Sequence, residues 1–130
     1  MINFIQDFFK RDKPNFNVVH TLISEETVIK GNVNFSGSLL INGEILGNIF
    51  GLSSRDRVDT IRIGKTAKIK NKGVLHAQHI IISGNVECSS VICPGTLIIE
   101  SSANIKAKKI EYSNIVIQRG AQINSKLISL

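Results

Sequence analysis

A hydrophobic repeat of about eighteen residues begins near Leu22 and runs to the C-terminal end of the sequence. Each repeat holds three short apolar clusters. We assign the inward positions of the first cluster to Ile23, Ile41, Ile63, Ile82, Ile99 and Ile117. Those of the second are Ile29, Ile45, Ile69, Val86, Ile105 and Ile123, and those of the third are Val33, Ile49, Val74, Val91, Ile110 and Ile128. Three apolar strands per repeat, with mostly β-branched residues inside, predict a triangular solenoid of parallel strands.

The predicted fold is all-β: a single-stranded, right-handed parallel β-helix of about six coils that spans residues 21–130. The composition agrees, because isoleucine is the most frequent residue, tryptophan is absent and tyrosine occurs once. Branched aliphatic side chains form layers in a narrow core that large rings would overfill. Residues 1–20 do not share the repeat. We expect them to form a disordered or amphipathic N-terminal tail with a polar linker around Pro14.

The first eleven residues predict a membrane-binding segment. At about 100° per residue all their apolar side chains fall in one arc of roughly 160°. The predicted membrane contacts are this arc and the two cations that follow it: Met1, Ile2, Phe4, Ile5, Phe8, Phe9, Lys10 and Arg11. So short a helix is marginal alone in water and needs a surface that buries its apolar side. A lipid surface fits best; packing on the solenoid as a cap, or binding another protein, are the alternatives.

Targeting signals and cysteine usage predict a cytosolic protein at the inner face of the membrane. The sequence has no apolar run of about 20 residues and no secretory signal. Cys88 and Cys93 lie within one coil, so we interpret them as reduced, half-buried thiols without a metal. The net charge of +6 reflects two basic segments, residues 54–79 and 101–130. They are either a solvated face or a strip that attracts phosphate.

One repeat is lengthened by about four residues, in the segment from Leu52 to Asp59. Extra residues in a solenoid leave it at a corner, and such loops are frequently functional. The mixed charges of this segment are equally consistent with a solvated bulge.

The order of these clusters resembles the bactofilins, bacterial cytoskeletal proteins that form polymers from a right-handed β-helix. The resemblance rests on Thr21–Ile23, Val28–Val33 and Ser36–Ile49, where small-residue corners and inward aliphatics alternate with Gly-x-hydrophobic-x-Gly. It covers about 110 of the 130 residues. It implies a cytoskeletal scaffold with nucleotide-independent, non-polar filaments that organises cell-shape or cell-envelope machinery. The family often has an aromatic residue near the C-terminal end of the helix, whereas here no Phe follows Phe50.

The two ends of such a β-helix are the predicted polymerisation surfaces, because each presents unpaired backbone groups and a cross-section of the core. The residues assigned to this interface are Leu22, Ile23, Leu127, Ile128 and Leu130. The partners we expect are other copies of the chain, membrane lipid and envelope or cell-shape proteins. No phosphate-binding loop and no dinucleotide fingerprint is present, so no cofactor and no nucleotide switch is expected.

Parts of the sequence also fit two other functions, an acyltransferase and a nucleic-acid-binding module. Left-handed β-helix acyltransferases also have eighteen residues per coil, and residues 63–69 fit one of their hexapeptides, with His76 or His79 as a candidate general base. The hexapeptide phase breaks at Ile45 and at Val86, so we place both histidines at a solvated corner and assign no catalytic residue. A nucleic-acid-binding module fits the pI of about 9.6. Only Tyr112 is placed to stack on bases, so nucleic acid is an unlikely partner.

Overall fold

The computed structural model describes residues 16–53 and 57–130. Within these ranges the secondary structure is entirely β, with no helix. The strands, in chain order, are β1 (Thr21–Ile23), β2 (Val28–Lys30), β3 (Val33–Phe35), β4 (Ser38–Ile41), β5 (Glu44–Leu46), β6 (Ile49–Gly51), β7 (Thr60–Ile63), β8 (Lys68–Lys70), β9 (Val74–His76), β10 (His79–Ile82), β11 (Asn85–Ile99), β12 (Asn104–Ile117) and β13 (Gln122–Ser129). The long strands β11, β12 and β13 continue around corners of the solenoid.

Every strand pairing is parallel, and the pairings sort the strands into three faces. Face A contains β1, β4, β7, β10 and residues 96–99 and 114–117. Face B contains β2, β5, β8 and residues 85–87, 104–106 and 122–124. Face C contains β3, β6, β9 and residues 90–93, 109–112 and 126–129. Six coils therefore stack along one axis, which confirms the predicted parallel β-helix. The right-handed winding stays a prediction.

The core is a set of columns in which the same inward position recurs from coil to coil. On face A the register aligns Ile23, Ile41, Ile63, Ile82, Ile99 and Ile117, as predicted. On face B it aligns Ile29, Ile45, Ile69, Val86, Ile105 and Ile123, also as predicted. The four members of the face A column from Ile41 to Ile99 are fully buried. Each such side chain is packed between its equivalents above and below.

Face C differs from the prediction at two positions. Its inward column consists of Val33, Ile49, Leu75, Val91, Ile110 and Leu127. The assignments of Val74 and Ile128 to this column were wrong by one residue in each case. A nearly constant corner between faces B and C would give the predicted column, but the corner before Leu75 is longer and the one before Leu127 is shorter. A shift of one residue along a strand exchanges inward and outward side chains.

Asparagine side chains stabilise the corner between faces B and C. Asn32 Oδ1 accepts a hydrogen bond from Asn48 N at 3.0 Å, and Asn48 Oδ1 accepts one from Val74 N at 2.9 Å. Asn71 Nδ2 donates to the Gly47 carbonyl oxygen at 2.8 Å. These bonds satisfy backbone groups that the ladder leaves unpaired where successive corners differ in length.

The inserted segment of coil 2 ends in a buried carboxylate. Asp59 is 1% exposed; its Oδ2 accepts a hydrogen bond from Gln78 N at 2.7 Å, and its Oδ1 accepts one from Ser53 Oγ. A Cβ at Gly51 would collide with this carboxylate, so the corner requires glycine there. The interpretation of the insertion as a solvated bulge therefore fails at Asp59, which holds the loop to the next coil.

The corrected register of face C gives a direct test. Leu75→Ala removes a fully buried side chain between Ile49 and Val91 and should lower the free energy of unfolding by about 2–5 kcal/mol. Val74→Ala, its neighbour on the outward side, should cost about 1 kcal/mol or less. Urea unfolding followed by circular dichroism measures both, and a larger loss for Val74→Ala would contradict the register.

Candidate polymerisation surfaces

The C-terminal end of the solenoid exposes a cross-section of the aliphatic core. Its inward residues are Ile115, Ile117, Ile123 and Leu127, which lie in register on Leu97, Ile99, Ile105 and Ile110 of coil 5. The coil 5 residues are all 0% exposed, whereas Ile117 is 45% and Leu127 41% exposed. Coil 6 is thus packed from one side only. We call Ile115, Ile117, Ile123 and Leu127 the C-terminal end face.

Backbone groups at this end are also unpaired. Among the described residues, the strand segments of coil 6 pair only with coil 5: residues 114–117 with the end of β11, and β13 with β12. Their other side presents N–H and C=O groups along the solenoid axis. An open edge of this kind is a template for pairing with another chain.

The N-terminal end also has unpaired strand edges, but its inward side chains are better covered than those of coil 6. Ile23 and Phe35 are each 7% exposed and Ile29 and Val33 are half-buried, while in the described part of the chain β1, β2 and β3 pair only with coil 2. Phe35 lies in register with Gly51. The inward residues of coil 1 form the N-terminal end face.

The structure divides the predicted interface residues into two groups. Ile23 and Leu127 belong to the core columns and to the end faces. Leu22 points outward on face A and is 57% exposed, Ile128 pairs with Glu111 on the outer side of face C, and Leu130 is 60% exposed beyond β13. These three lie at the edges of the end faces. Ile117 and Ile123 were predicted as inward residues but not as interface residues. As the last members of their core columns, they necessarily lie at the C-terminal end of the solenoid.

Charged side chains are concentrated on faces B and C. Outward positions of face B alternate in sign, with Lys68, Lys70 and Lys106 beside Glu44 and Glu87. On face C, Lys109 Nζ and Glu111 Oε1 form a salt bridge of 2.8 Å. The basic segments of the sequence are therefore interleaved with carboxylates. Tyr112, the candidate for stacking on bases, packs partly against the core in the column of Cys93.

The two histidines do not lie at a solvated corner, so that expectation was wrong. His79 is 3% exposed at the start of β10, and its Nδ1 accepts a hydrogen bond from Thr96 N at 3.0 Å. His76 is half-buried and its ring lies 6.4 Å from that of Phe50. The Nδ1 lone pair of His79 is committed to the backbone of the next coil, so at this atom the side chain has a structural role.

Both cysteines are free thiols, and both are buried, whereas the sequence predicted half-buried side chains. Burial raises the pKa of Cys88 to about 11 and that of Cys93 to about 12. Cys93 Sγ donates to the Gln78 carbonyl oxygen at 3.3 Å, and Cys88 Sγ to that of Ser90 at 3.5 Å. In residues 16–53 and 57–130, no three His, Cys, Asp or Glu side chains come together as a metal site.

The predicted membrane-binding residues, Met1 to Arg11, lie outside the described residues. In the part of the chain that is described, no helix has the length and hydropathy that a bilayer-spanning segment needs.

The fold and its ends define the class of protein: a parallel β-solenoid whose strand edges are unpaired at both ends in the described residues, with an aliphatic core that is exposed at the C-terminal end. A family model described as "Bactofilin: Polymer-forming cytoskeletal" matches residues 21–127. The chain therefore belongs to the bactofilin family, which is a structural, cytoskeletal family, and the resemblance seen in the sequence is confirmed. No curated protein and no solved structure matched the chain.

The buried thiols predict low reactivity and a loss of stability in alkali. At pH 8 a thiol reagent should modify folded protein far more slowly than protein in urea, because the thiolate is the nucleophile. Unfolded thiols ionise near the ordinary value of 9.0, well below the folded pKa values of about 11 and 12. The free energy of unfolding should therefore fall as the pH rises from 9 towards 12. Equal modification rates with and without urea would contradict the burial.

Proposed function

We propose that this bactofilin assembles end to end into filaments, without a nucleotide, at the inner face of the membrane. The observation that carries the proposal is the exposed aliphatic C-terminal end face together with the unpaired strand edges at both ends. Association through them buries apolar side chains and pairs backbone edges, and neither contribution requires ATP or GTP. The polymer-forming character of the family supports this use of the ends.

In the proposed filament, like ends join: the C-terminal end face meets its equivalent on a second copy, and the N-terminal end faces meet likewise. A contact of this kind is isologous and produces a filament without polarity. With six coils about 4.8 Å apart, each subunit adds roughly 29 Å of length. Leu22, Ile128 and Leu130 would lie at the edges of these contacts.

Attachment to lipid is assigned to residues 1–11. Their apolar arc would enter the interfacial region of the bilayer, with Lys10 and Arg11 near the headgroups. Many copies in one filament would bind the same membrane, so that a weak individual anchor becomes strong in the polymer. A filament held in this way can position envelope or cell-shape proteins along its length, and this is the scaffold role that we propose.

The end-face contact predicts the products of a single substitution. Leu127→Asp places a charge in the C-terminal end face, and an unpaired buried carboxylate is costly. If like ends join, this variant should stop at dimers held by the N-terminal end faces. If unlike ends join, it should stop at monomers. Sedimentation velocity and negative-stain microscopy distinguish these products.

Two control variants accompany Leu127→Asp. Lys70→Glu, an exposed outward residue of face B in coil 3, should leave long filaments. Ile128→Lys, at the edge of the end face, should shorten filaments less than Leu127→Asp does. Long filaments of folded Leu127→Asp protein would show that the C-terminal end face is not a polymer contact.

The membrane segment predicts a loss of lipid binding when its aromatic residues are removed. Replacing Phe8 and Phe9 by Ser removes two anchors of about 1.5–3 kcal/mol each, and should weaken partitioning into liposomes by about a hundredfold or more. Co-sedimentation with liposomes measures the change. Replacing Asn3 and Gln6 by Ser, on the polar side, is the matched control. Equal binding by the two double variants would rule out lipid contact through the apolar arc.

A further inference from the structure

Face A carries an aliphatic stripe on its outer side. The outward positions of this face align Leu22, Leu40, Arg62, Ile81, Ile98 and Val116, one from each coil. Arg62 is the one charged residue in this column. Leu22 is 57% and Val116 51% exposed, whereas Leu40, Ile81 and Ile98 are half-buried. Aliphatic side chains aligned along the length of a solenoid form an apolar strip that another apolar surface can cover.

The chain itself covers one part of this stripe. Phe16, Val18 and Val19 form a groove with residues of coils 2 and 3 on face A, including Leu40 and Arg62. His20 then enters the solenoid, where His20 N donates to the Ser38 carbonyl oxygen at 2.9 Å and Ser38 N donates to His20 Nδ1 at 2.9 Å. The chain thus reaches coil 1 from coils 2 and 3. Phe16, the first described residue, thus lies beside Arg62, the position of the stripe that precedes Ile81, Ile98 and Val116.

We propose that, in the absence of lipid, residues 1–11 dock on the stripe of Ile81, Ile98 and Val116, so that face A and the membrane compete for one apolar surface. The lengths agree. From Arg62 to Val116 the stripe covers three coil steps, about 14 Å, and eleven residues in a helix span about 16 Å. The four residues 12–15 can bridge up to about 14 Å. The apolar arc of the segment would meet aliphatic side chains in the docked state and acyl chains in the membrane-bound state.

The charge distribution favours this occupant on face A. Beside coils 4 to 6, face B presents Glu87 and Lys106 and face C presents Lys109, Glu111 and Lys126, whereas the face A stripe is uncharged there. An apolar arc gains most from the face with the fewest charged side chains to desolvate. A second copy pairing through the same stripe would have to displace the residues of the groove, Phe16 to Val19.

Docking would hold back the membrane anchor until lipid is present. A docked state ten times as populated as the free state lowers the apparent partitioning into lipid about tenfold. The proposal rests on the amphipathic pattern of residues 1–11, which the proposed membrane attachment also uses. Its first test needs neither lipid nor a filament.

The sequence has no tryptophan, so Phe8→Trp gives a single fluorescent probe in the full-length protein. Without lipid, its emission should be blue-shifted and poorly quenched by acrylamide, and it should not change on hundredfold dilution. Ile98→Lys combined with Val116→Lys should shift the emission to that of a solvent-exposed tryptophan. Val28→Lys, an equally exposed valine on face B, should leave it unchanged. Circular dichroism confirms that each variant folds.

Three results would overturn the proposal. The first is solvent-exposed emission in the parent probe protein. The second is a blue shift that survives Ile98→Lys with Val116→Lys, which places the segment elsewhere, for instance over an end face. The third is a blue shift lost on dilution, which indicates a second copy as the occupant.

Liposome binding provides an independent readout. Ile98→Lys with Val116→Lys should bind liposomes severalfold more tightly than the parent chain, because the competing site is gone. Equal or weaker binding would overturn the competition. Failure of the membrane proposal would be a separate result. In that case the double variant Phe8→Ser with Phe9→Ser would bind liposomes as the parent chain does, and the emission of the Phe8→Trp probe has no part in that outcome.

Discussion

Stacking of identical inward positions between successive coils is the interaction on which this structure depends. A side chain such as Ile82 contacts its equivalents Ile63 and Ile99, and the parallel ladder that aligns them also pairs the backbone. Each coil alone has no enclosed core, and its apolar side chains are buried only by its neighbours. Stability in such a solenoid is therefore approximately a sum of interfaces between adjacent coils.

The same dependence produces the end faces. Because a coil is completed by its neighbours, coil 6 remains half packed, and its exposed side chains have the spacing of the internal columns; coil 1 has unpaired strand edges with its side chains better covered. A surface of that kind is complementary to another copy of itself. In a filament, the packing interaction that joins neighbouring coils within one chain would also join the end coils of two chains. This accounts for a polymer-forming family built on this fold.

The three faces differ in what their outer sides offer. Face B presents lysines and carboxylates and face C presents charges in coils 5 and 6, whereas face A presents an aliphatic stripe and receives the chain as it enters coil 1. Each subunit of a filament would contribute one face whose outward stripe holds a single charged residue, Arg62. The docking that we propose assigns that side to the N-terminal segment when no membrane is available.

The sequence by itself determined the fold class, the number of coils, and the columns of faces A and B. The β-branched residues recur there with few changes in spacing, and the core admits only one orientation for them. The columns also contained most of the end faces, since Ile117 and Ile123 are their last members. These features depend on the alternation of inward and outward residues within a strand, which is a local property.

Only the tertiary structure decided the inward column of face C, the burial of Asp59 and His79, and the side on which residues 16–19 lie. Leu75 and Leu127 replace the expected Val74 and Ile128 because the corner lengths vary, and one added or removed residue reverses the orientation of the strand that follows. Corner length is fixed by hydrogen bonds between coils, such as that from Val74 N to Asn48 Oδ1 and that from Gln78 N to Asp59 Oδ2. These two bonds join residues that are 26 and 19 positions apart. The alternation of apolar and polar residues within one repeat does not indicate them.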